Sequence, residues 1–166
     1  MSQKTKTIEV KESIVESVVE LNDIQTNVSN TEPEMIILLD EGKALKLSPK
    51  TQSHVFYQLG EDDEGKRHIR MSGNEGGGLH TKIWIELDTI FSLLEKQSDK
   101  SFKSTVFKPV FKSGSSNNCG FLAAILRSKE LGLMVQSEQS IFVHKVSKDY
   151  NDNKQRLLIS TSFASA

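Results

Sequence analysis

The chain is poor in cysteine, proline and long apolar runs. Its 166 residues contain one cysteine (Cys119), three prolines and one tryptophan. One cysteine permits no internal disulfide, and no pair of cysteine and histidine has the spacing of a structural zinc site. The sequence therefore predicts a reducing compartment, with the cytoplasm as the expected location, and neither a metal nor a cofactor.

Long apolar segments are also missing. Apolar runs such as Met35–Leu39 are far shorter than the ~20 residues needed to cross a bilayer. The first ten residues, MSQKTKTIEV, contain no apolar stretch typical of a secretory signal. We therefore expect no membrane partner. With 36% hydrophobic and 26% charged residues, the composition is typical of a globular domain with an appendage.

The formal net charge of −1 conceals an uneven distribution. Residues 1–65 carry six Lys and Arg against thirteen Asp and Glu, whereas residues 66–166 carry fifteen against nine. This division predicts an acidic arm and a moderately basic body. A basic body is compatible with a polyanion such as nucleic acid as a partner.

Residues 1–33 are predicted to form an acidic amphipathic arm and a linker. Ile14, Val18 and Leu21 recur at helical spacing, and glutamates occupy another face of the same helix. A helix of this length is marginal alone, so its apolar stripe needs a partner. Two interpretations stay open: the helix docks on its own domain or forms a tail, or residues 8–24 bind a protein partner or a second copy of the chain.

Residues 34–166 are predicted to form an α+β domain that is mainly β over 34–87. Short strands separated by turn-rich gaps favour an antiparallel β meander. The predicted strands are Met35–Leu39, Ala44–Ser48, His54–Leu59, Lys66–Met71 and Leu79–Leu87. In the last of them Trp84 shares a face with Lys82 and Glu86.

A glycine cluster, residues 73–78, interrupts this meander. Phosphate loops precede a helix, whose N-terminus faces the anion, but here a strand is predicted to follow. A flexible hairpin loop is the favoured interpretation. The basic residues that flank the cluster could still form a finger that contacts phosphates, or a solvated surface. These residues are Lys66, Arg67, His68, Arg70, His80 and Lys82.

Residues 88–147 are predicted to form helices followed by a C-terminal hairpin. Asp88 is a suitable N-cap for a helix over 89–97, and further helices are predicted over 101–113 and 117–130. The hairpin comprises 134–136 and 140–146. Residues 148–166 are predicted to form a last strand, Arg156–Ser160, and a tail.

Three helices followed by a hairpin resemble a winged helix-turn-helix over residues 88–147, and an ordinary α+β core with a capped helix is the alternative. In the winged-helix arrangement the last helix enters the major groove and the hairpin touches the DNA backbone. The resemblance implies a non-enzymatic nucleic-acid-binding or regulatory protein, with DNA as the expected partner. The predicted contacts are Lys100, Lys103, Lys108, Lys112, Ser116, Asn117, Asn118, Arg127 and Lys145.

A catalytic alternative uses the single cysteine. Cys119 is predicted to lie at a helix N-terminus, where the helix dipole lowers the pKa of a thiol. His144 follows on a predicted strand, and Asp149, Asn151 or Asp152 could orient its imidazole. His80, upstream, could equally be the partner of the cysteine. This order resembles that of cysteine hydrolases. A lone cysteine is, however, more often a small buried apolar residue.

Overall fold

The computed structural model describes residues 34–163. The predicted arm and its partner-binding segment, residues 8–24, lie outside the described residues, as do residues 164–166. The elements, in chain order, are β1 (Ile36–Leu45), β2 (His54–Glu61), β3 (Arg67–Asn74), β4 (Ile85–Glu86), α1 (Leu87–Glu95), β5 (Phe102–Lys103), a 3₁₀ helix (Ser104–Val110), α2 (Asn118–Leu126), β6 (Met134–Ser137), β7 (Ser140–Val146) and α3 (Tyr150–Ile159).

The main sheet is an antiparallel meander in the order β1-β2-β3-β4. Helices follow it in the chain, which confirms the predicted α+β class. Along β2 the buried residues Val55, Tyr57 and Leu59 alternate with half-buried Phe56 and Gln58, as the two-residue period of a strand requires. The face of the sheet that carries the buried residues belongs to the core. We call the opposite face, which carries Phe56 and Gln58, the outer face.

The core lies between the inner face of the sheet and the helices. α1 contacts β3 and β4, and α2 contacts β1 and β2. The largest fully buried side chains include Tyr57 and Met71 from the sheet, Phe91 from α1, and Ile125 from α2. Burial of each such side chain stabilises the fold by roughly 1.5–3 kcal/mol. Among residues 34–163, no helix combines the length and apolar character required to cross a membrane.

The first strand differs from its prediction. Two strands, Met35–Leu39 and Ala44–Ser48, were expected with turn-forming residues between them, but β1 runs unbroken from Ile36 to Leu45. Irregularities in its pairing with β2 lie between Ile37 and Leu39 and between Leu39 and Gly42. A bulge absorbs an extra residue without ending the strand, so turn-forming residue types at this position bend β1 and do not reverse it.

The predicted strand Leu79–Leu87 is wrong over most of its length. Only Ile85 and Glu86 pair with β3, and Gly76, Gly77 and Gly78 all have positive φ angles that favour glycine. The segment before β4 instead bonds to α2: the Thr81 backbone N–H donates to Asn118 Oδ1 over 3.1 Å. This bond to a side chain of α2 takes the place of the strand pairing that the alternating pattern over 79–87 predicted.

Helix α1 confirms a predicted helix, but Asp88 lies inside its first turn and Glu86 occupies the N-cap position. The predicted helix over 101–113 is a short strand followed by a 3₁₀ helix that contains Pro109. Proline lacks a backbone N–H and clashes with the preceding turn, which explains why a regular α-helix does not form here.

The predicted C-terminal hairpin is present as β6 and β7. β5 joins it, so the second sheet has three strands in the order β5-β7-β6. The structure does not confirm the winged-helix resemblance, because a 3₁₀ helix stands where its second α-helix is expected. Helix α2 is also shorter than predicted and ends at Leu126.

The predicted last strand, Arg156–Ser160, is wrong, because residues 150–159 form helix α3. Tyr150 and Leu157, seven residues apart, are the buried side chains of α3, as expected for one face of a helix. A short apolar run such as 157–159 cannot distinguish strand from helix by periodicity. Contacts of Tyr150 decide the outcome: its ring meets Phe91 edge-on, with centroids 6.3 Å apart.

Candidate nucleic-acid interface

Most residues of the predicted DNA surface are exposed. The four lysines Lys100, Lys103, Lys108 and Lys112 are exposed, and so are Ser116 and Asn117. Of the phenylalanines between these lysines, Phe102 and Phe107 are buried and Phe111 is half-buried. The lysines are thus available to solvent, whereas the aromatic rings beside them are not available for stacking.

Asn118 does not belong to this surface. Its side chain is buried, with 1% of its area exposed, and its Oδ1 accepts a hydrogen bond from the Thr81 backbone. A base edge cannot reach it, which corrects the prediction for this residue. Asn117 remains exposed and lies against Gly78, the last glycine of the cluster.

The last helix of the predicted unit lacks the free face that groove binding requires. Five consecutive residues, Leu122–Leu126, are buried, so every side of that turn of α2 packs inside the protein. Beyond it, Arg127 is occupied: its guanidinium donates to the Ile141 carbonyl over 2.7 Å and to Gln136 Oε1 over 3.1 Å. Burial also lowers the pKa of Arg127. Lys145 is half-buried on β7 and lies 3.9 Å from Glu138.

The cysteine of the catalytic alternative is not activated. Cys119 is a free, half-buried residue near the start of α2. Burial raises the pKa of its thiol, and the charge of Lys108 offsets only part of that effect. The helix N-terminus does not produce the low-pKa thiolate that was predicted.

His144 is engaged elsewhere. It is fully buried, and its Nε2 lies 3.0 Å from Ser104 Oγ, while the buried Nδ1 has no hydrogen-bond partner among the described residues. A proton on Nδ1 would be a buried donor without an acceptor, so the ring is favoured with its proton on Nε2. In that tautomer Nε2 donates to Ser104, and the basic nitrogen, Nδ1, is buried where no acidic proton from Cys119 or a substrate in solvent reaches it.

Burial, with a smaller contribution from Arg127, lowers the pKa of His144 to about 4. The ring is therefore neutral at physiological pH. Asp149, the predicted third member, is exposed and occupies the N-cap position of α3. The three residues that sequence order suggested have separate structural roles, and no group of three or more metal-binding side chains occurs within residues 34–163.

A different surface, the outer face of the main sheet, collects aromatic and cationic side chains. The Arg70 guanidinium lies 4.4 Å from the centroid of the Trp84 ring. The indole also covers Gly60 of β2: a Cβ built there would be 3.1 Å from Trp84 Cη2. The absence of a side chain at Gly60 is what lets the ring approach the sheet.

A second aromatic and cation pair lies on the same face. Lys43 of β1 is the register partner of Phe56 on β2, and its Nζ lies 5.9 Å from the Phe56 ring centroid. Both rings are half-buried and Lys43 is exposed. An energetically significant cation–π contact contributes roughly 0.5–1 kcal/mol at an exposed site, so these pairs hold the rings in place.

Hydrogen bonds link Arg70 of the first pair to Gln58 on β2 and Asp40 on β1. Arg70 Nε donates to Gln58 Oε1 over 2.7 Å, and Gln58 Nε2 donates to Asp40 Oδ1 over 2.9 Å. Phe56, Gln58 and Gly60 are alternate residues of β2, so the polar group at 58 lies midway between the two rings. Alternate residues of a strand are about 7 Å apart, and the two ring positions are therefore separated by about 13 Å along β2.

The formal charge of the outer face is nearly balanced. Lys43 and Arg70 supply positive charge, and Asp40 and Glu86 supply negative charge. His68, the register partner of Glu86, lies 3.7 Å from Asp62. A ligand is thus favoured on this face by contact with the rings more than by long-range electrostatic attraction.

The sequence contained only part of the signal for this site. The alternation around Trp84 placed the indole on a face with charged residues, and Arg70 was among the basic residues noted beside the glycine cluster. The neighbours of the Trp84 ring are set by the register of β2, β3 and β4, and alternation within one strand does not predict register. Phe56 was missed because aromatic residues in a short strand, here Phe56 and Tyr57, are typical of core positions.

Comparison of the chain with protein-family models, with curated proteins and with solved structures found no match in any of the three.

Proposed function

We propose that the protein is a non-enzymatic, regulatory protein that binds single-stranded nucleic acid on the outer face of its main sheet. The observation that carries the proposal is the pairing of Arg70 with Trp84 on the same face as Lys43 with Phe56. Aromatic rings and guanidinium planes on a sheet are surfaces on which unpaired bases stack, and neighbouring cations contact the phosphates.

Two features favour a single strand over the duplex DNA expected from the sequence. Bases can stack on a protein ring only when they are not already stacked inside a double helix. The helix that was expected to enter the major groove is buried over Leu122–Leu126, whereas the outer face carries rings that are still half-exposed. The lone Cys119 supports a reducing compartment, such as the cytoplasm, as the place where the protein acts.

Titration of a fluorescent single-stranded oligonucleotide tests the proposal. We expect Trp84→Ala and Phe56→Ala each to weaken binding about tenfold, since stacking on one ring contributes roughly 1–3 kcal/mol per base. Phe142→Ala is the matched control, because Phe142 is an aromatic residue on β7 with 53% of its area exposed. It should leave binding unchanged. Trp84 is the only tryptophan, so quenching of its fluorescence reports on the site directly.

The dependence on salt separates the proposal from the lysine surface over 100–145. Two cations on the outer face, Lys43 and Arg70, predict a slope of log K against log salt of about −1.4 for a single strand. Contacts from the four lysines and Lys145 predict a slope of about −4.5 with a duplex. A steep slope together with a preference for duplex would support the lysine surface, and absence of single-strand binding at low salt would overturn the proposal.

A further inference from the structure

We infer that Asp40 makes the single-strand site selective, favouring cytosine over thymine or uracil at a base that lies between the two rings. The inference rests on the proposed function and deepens it. Its structural basis is the position of the Gln58–Asp40 pair, which lies between the Phe56 ring and the Trp84 ring on the outer face.

The spacing of the site requires an extended strand. The ring positions at Phe56 and over Gly60 are separated by about 13 Å along β2, whereas successive nucleotides of a stacked strand rise only about 3.4 Å. A nucleic-acid strand whose bases stack on both rings, and which advances about 7 Å per nucleotide, places one further base between the two rings. That base lies over Gln58 and Asp40.

The chemistry at this middle position is set by hydrogen bonding inside the protein. Gln58 is fixed at both ends, because its Oε1 accepts from Arg70 and its Nε2 donates to Asp40 Oδ1. Gln58 therefore has little freedom to turn toward a ligand. Asp40 is exposed and keeps its second carboxylate oxygen, which is a hydrogen-bond acceptor.

An acceptor at this position discriminates between pyrimidines. The exocyclic amine of cytosine donates to a carboxylate, whereas thymine and uracil present a carbonyl oxygen at the same place on the ring. A carbonyl facing a carboxylate leaves two acceptors opposed without a proton between them. The negative charge of Asp40 also repels phosphates, which keeps the backbone away and turns the base edge toward the carboxylate.

The test compares oligo(dC) with oligo(dT) of equal length at neutral pH, by quenching of Trp84. We expect the wild-type protein to bind oligo(dC) about fivefold more tightly, within the range for a base-edge contact. In Asp40→Asn the amide oxygen can still accept from Gln58, and its NH₂ group then faces the base as a donor. The preference should fall below one, toward thymine. Oligo(rC) and oligo(rU) measured in parallel show which sugar the site accepts.

Glu41→Gln is the matched control, because Glu41 is the exposed neighbour of Asp40 and carries the same charge. Removal of either carboxylate weakens the repulsion of phosphates for both oligonucleotides. Asp40→Asn also removes the acceptor for the cytosine amine, so only that substitution should change the ratio of the two affinities. Equal affinities in the wild type, or a ratio that Asp40→Asn leaves unchanged, would overturn the inference while single-strand binding stands. If neither oligonucleotide binds, the proposed function itself fails.

Discussion

The ring of Tyr57 fills the space that a side chain at Gly42 would need. The two residues are register partners on β1 and β2, and a Cβ built at Gly42 would lie 2.2 Å from Tyr57 Cζ. Tyr57 is fully buried, so its ring has no free volume into which it can turn. We expect Gly42→Ala to lower the free energy of unfolding by about 3 kcal/mol, as overpacking of a core does. Chemical denaturation measures the change.

Gly73→Ala is the control for that substitution. Gly73 is also a strand glycine with an aromatic neighbour, but its Cβ would lie 3.5 Å from Phe56 Cδ2, which is ordinary contact. Its effect should remain within about 0.5 kcal/mol. Equal effects of the two substitutions would show that loss of glycine in a strand, and not the Tyr57 ring, determines the cost.

Burial of neutral His144 makes stability depend on pH. Its pKa falls to about 4 in the folded protein, below its ordinary value of 6.5, so the unfolded chain binds more protons between these values. The contribution to stability is complete above pH 6.5 and is lost as the pH falls toward 4. Between pH 7 and pH 5 we expect the free energy of unfolding to decrease by about 2 kcal/mol from this residue.

Denaturant titrations of wild type and His144→Gln across this pH range isolate the effect. Carboxylates titrate in both proteins, so the difference between their pH profiles belongs to His144. The variant should show the shallower loss of stability on acidification. Parallel profiles would mean that the imidazole is not held neutral in the folded protein.

The thiol of Cys119 should react slowly. Burial raises its pKa, which lowers the thiolate fraction at neutral pH. We expect alkylation by iodoacetamide in the folded protein to be slower than in the denatured chain, where the thiol regains an ordinary pKa and full access. Cys119→Ser should bind oligonucleotides as the wild type does. Faster alkylation in the folded state would revive the catalytic alternative.

Local patterns in the sequence predicted the elements whose contacts are local. The hairpin of β6 and β7 follows from alternation around a polar turn, and α1 follows from the helical spacing of Ile90 and Leu94. Elements decided by distant partners were predicted wrongly. Residues 79–84 lie beside α2 and outside the sheet because the Thr81 backbone bonds to Asn118. Helix α3 forms where the Tyr150 ring packs against Phe91 of α1.

The candidate site shows the same limit. Alternation placed Trp84 beside charged residues, but the contacts with Arg70 and Gly60 arise from three strands that are adjacent only after folding. The cysteine and the paired asparagines were conspicuous in the sequence because of their residue types. Burial of Asn118 and His144 removes the roles predicted for them, and burial is a property of the whole fold.

Strand β1 has a consequence for the behaviour of the protein at high concentration. It is the ten-residue outer strand of the main sheet, and its edge is engaged at Leu38, whose carbonyl accepts a hydrogen bond from the Phe163 backbone N–H over 3.1 Å. Edge positions without such a partner are a template for strand pairing between molecules. Asp40, Glu41 and Lys43 are exposed near the middle of that edge. Charged side chains on an edge strand oppose such pairing. The carboxylate that we propose for base selection thus also contributes to colloidal stability.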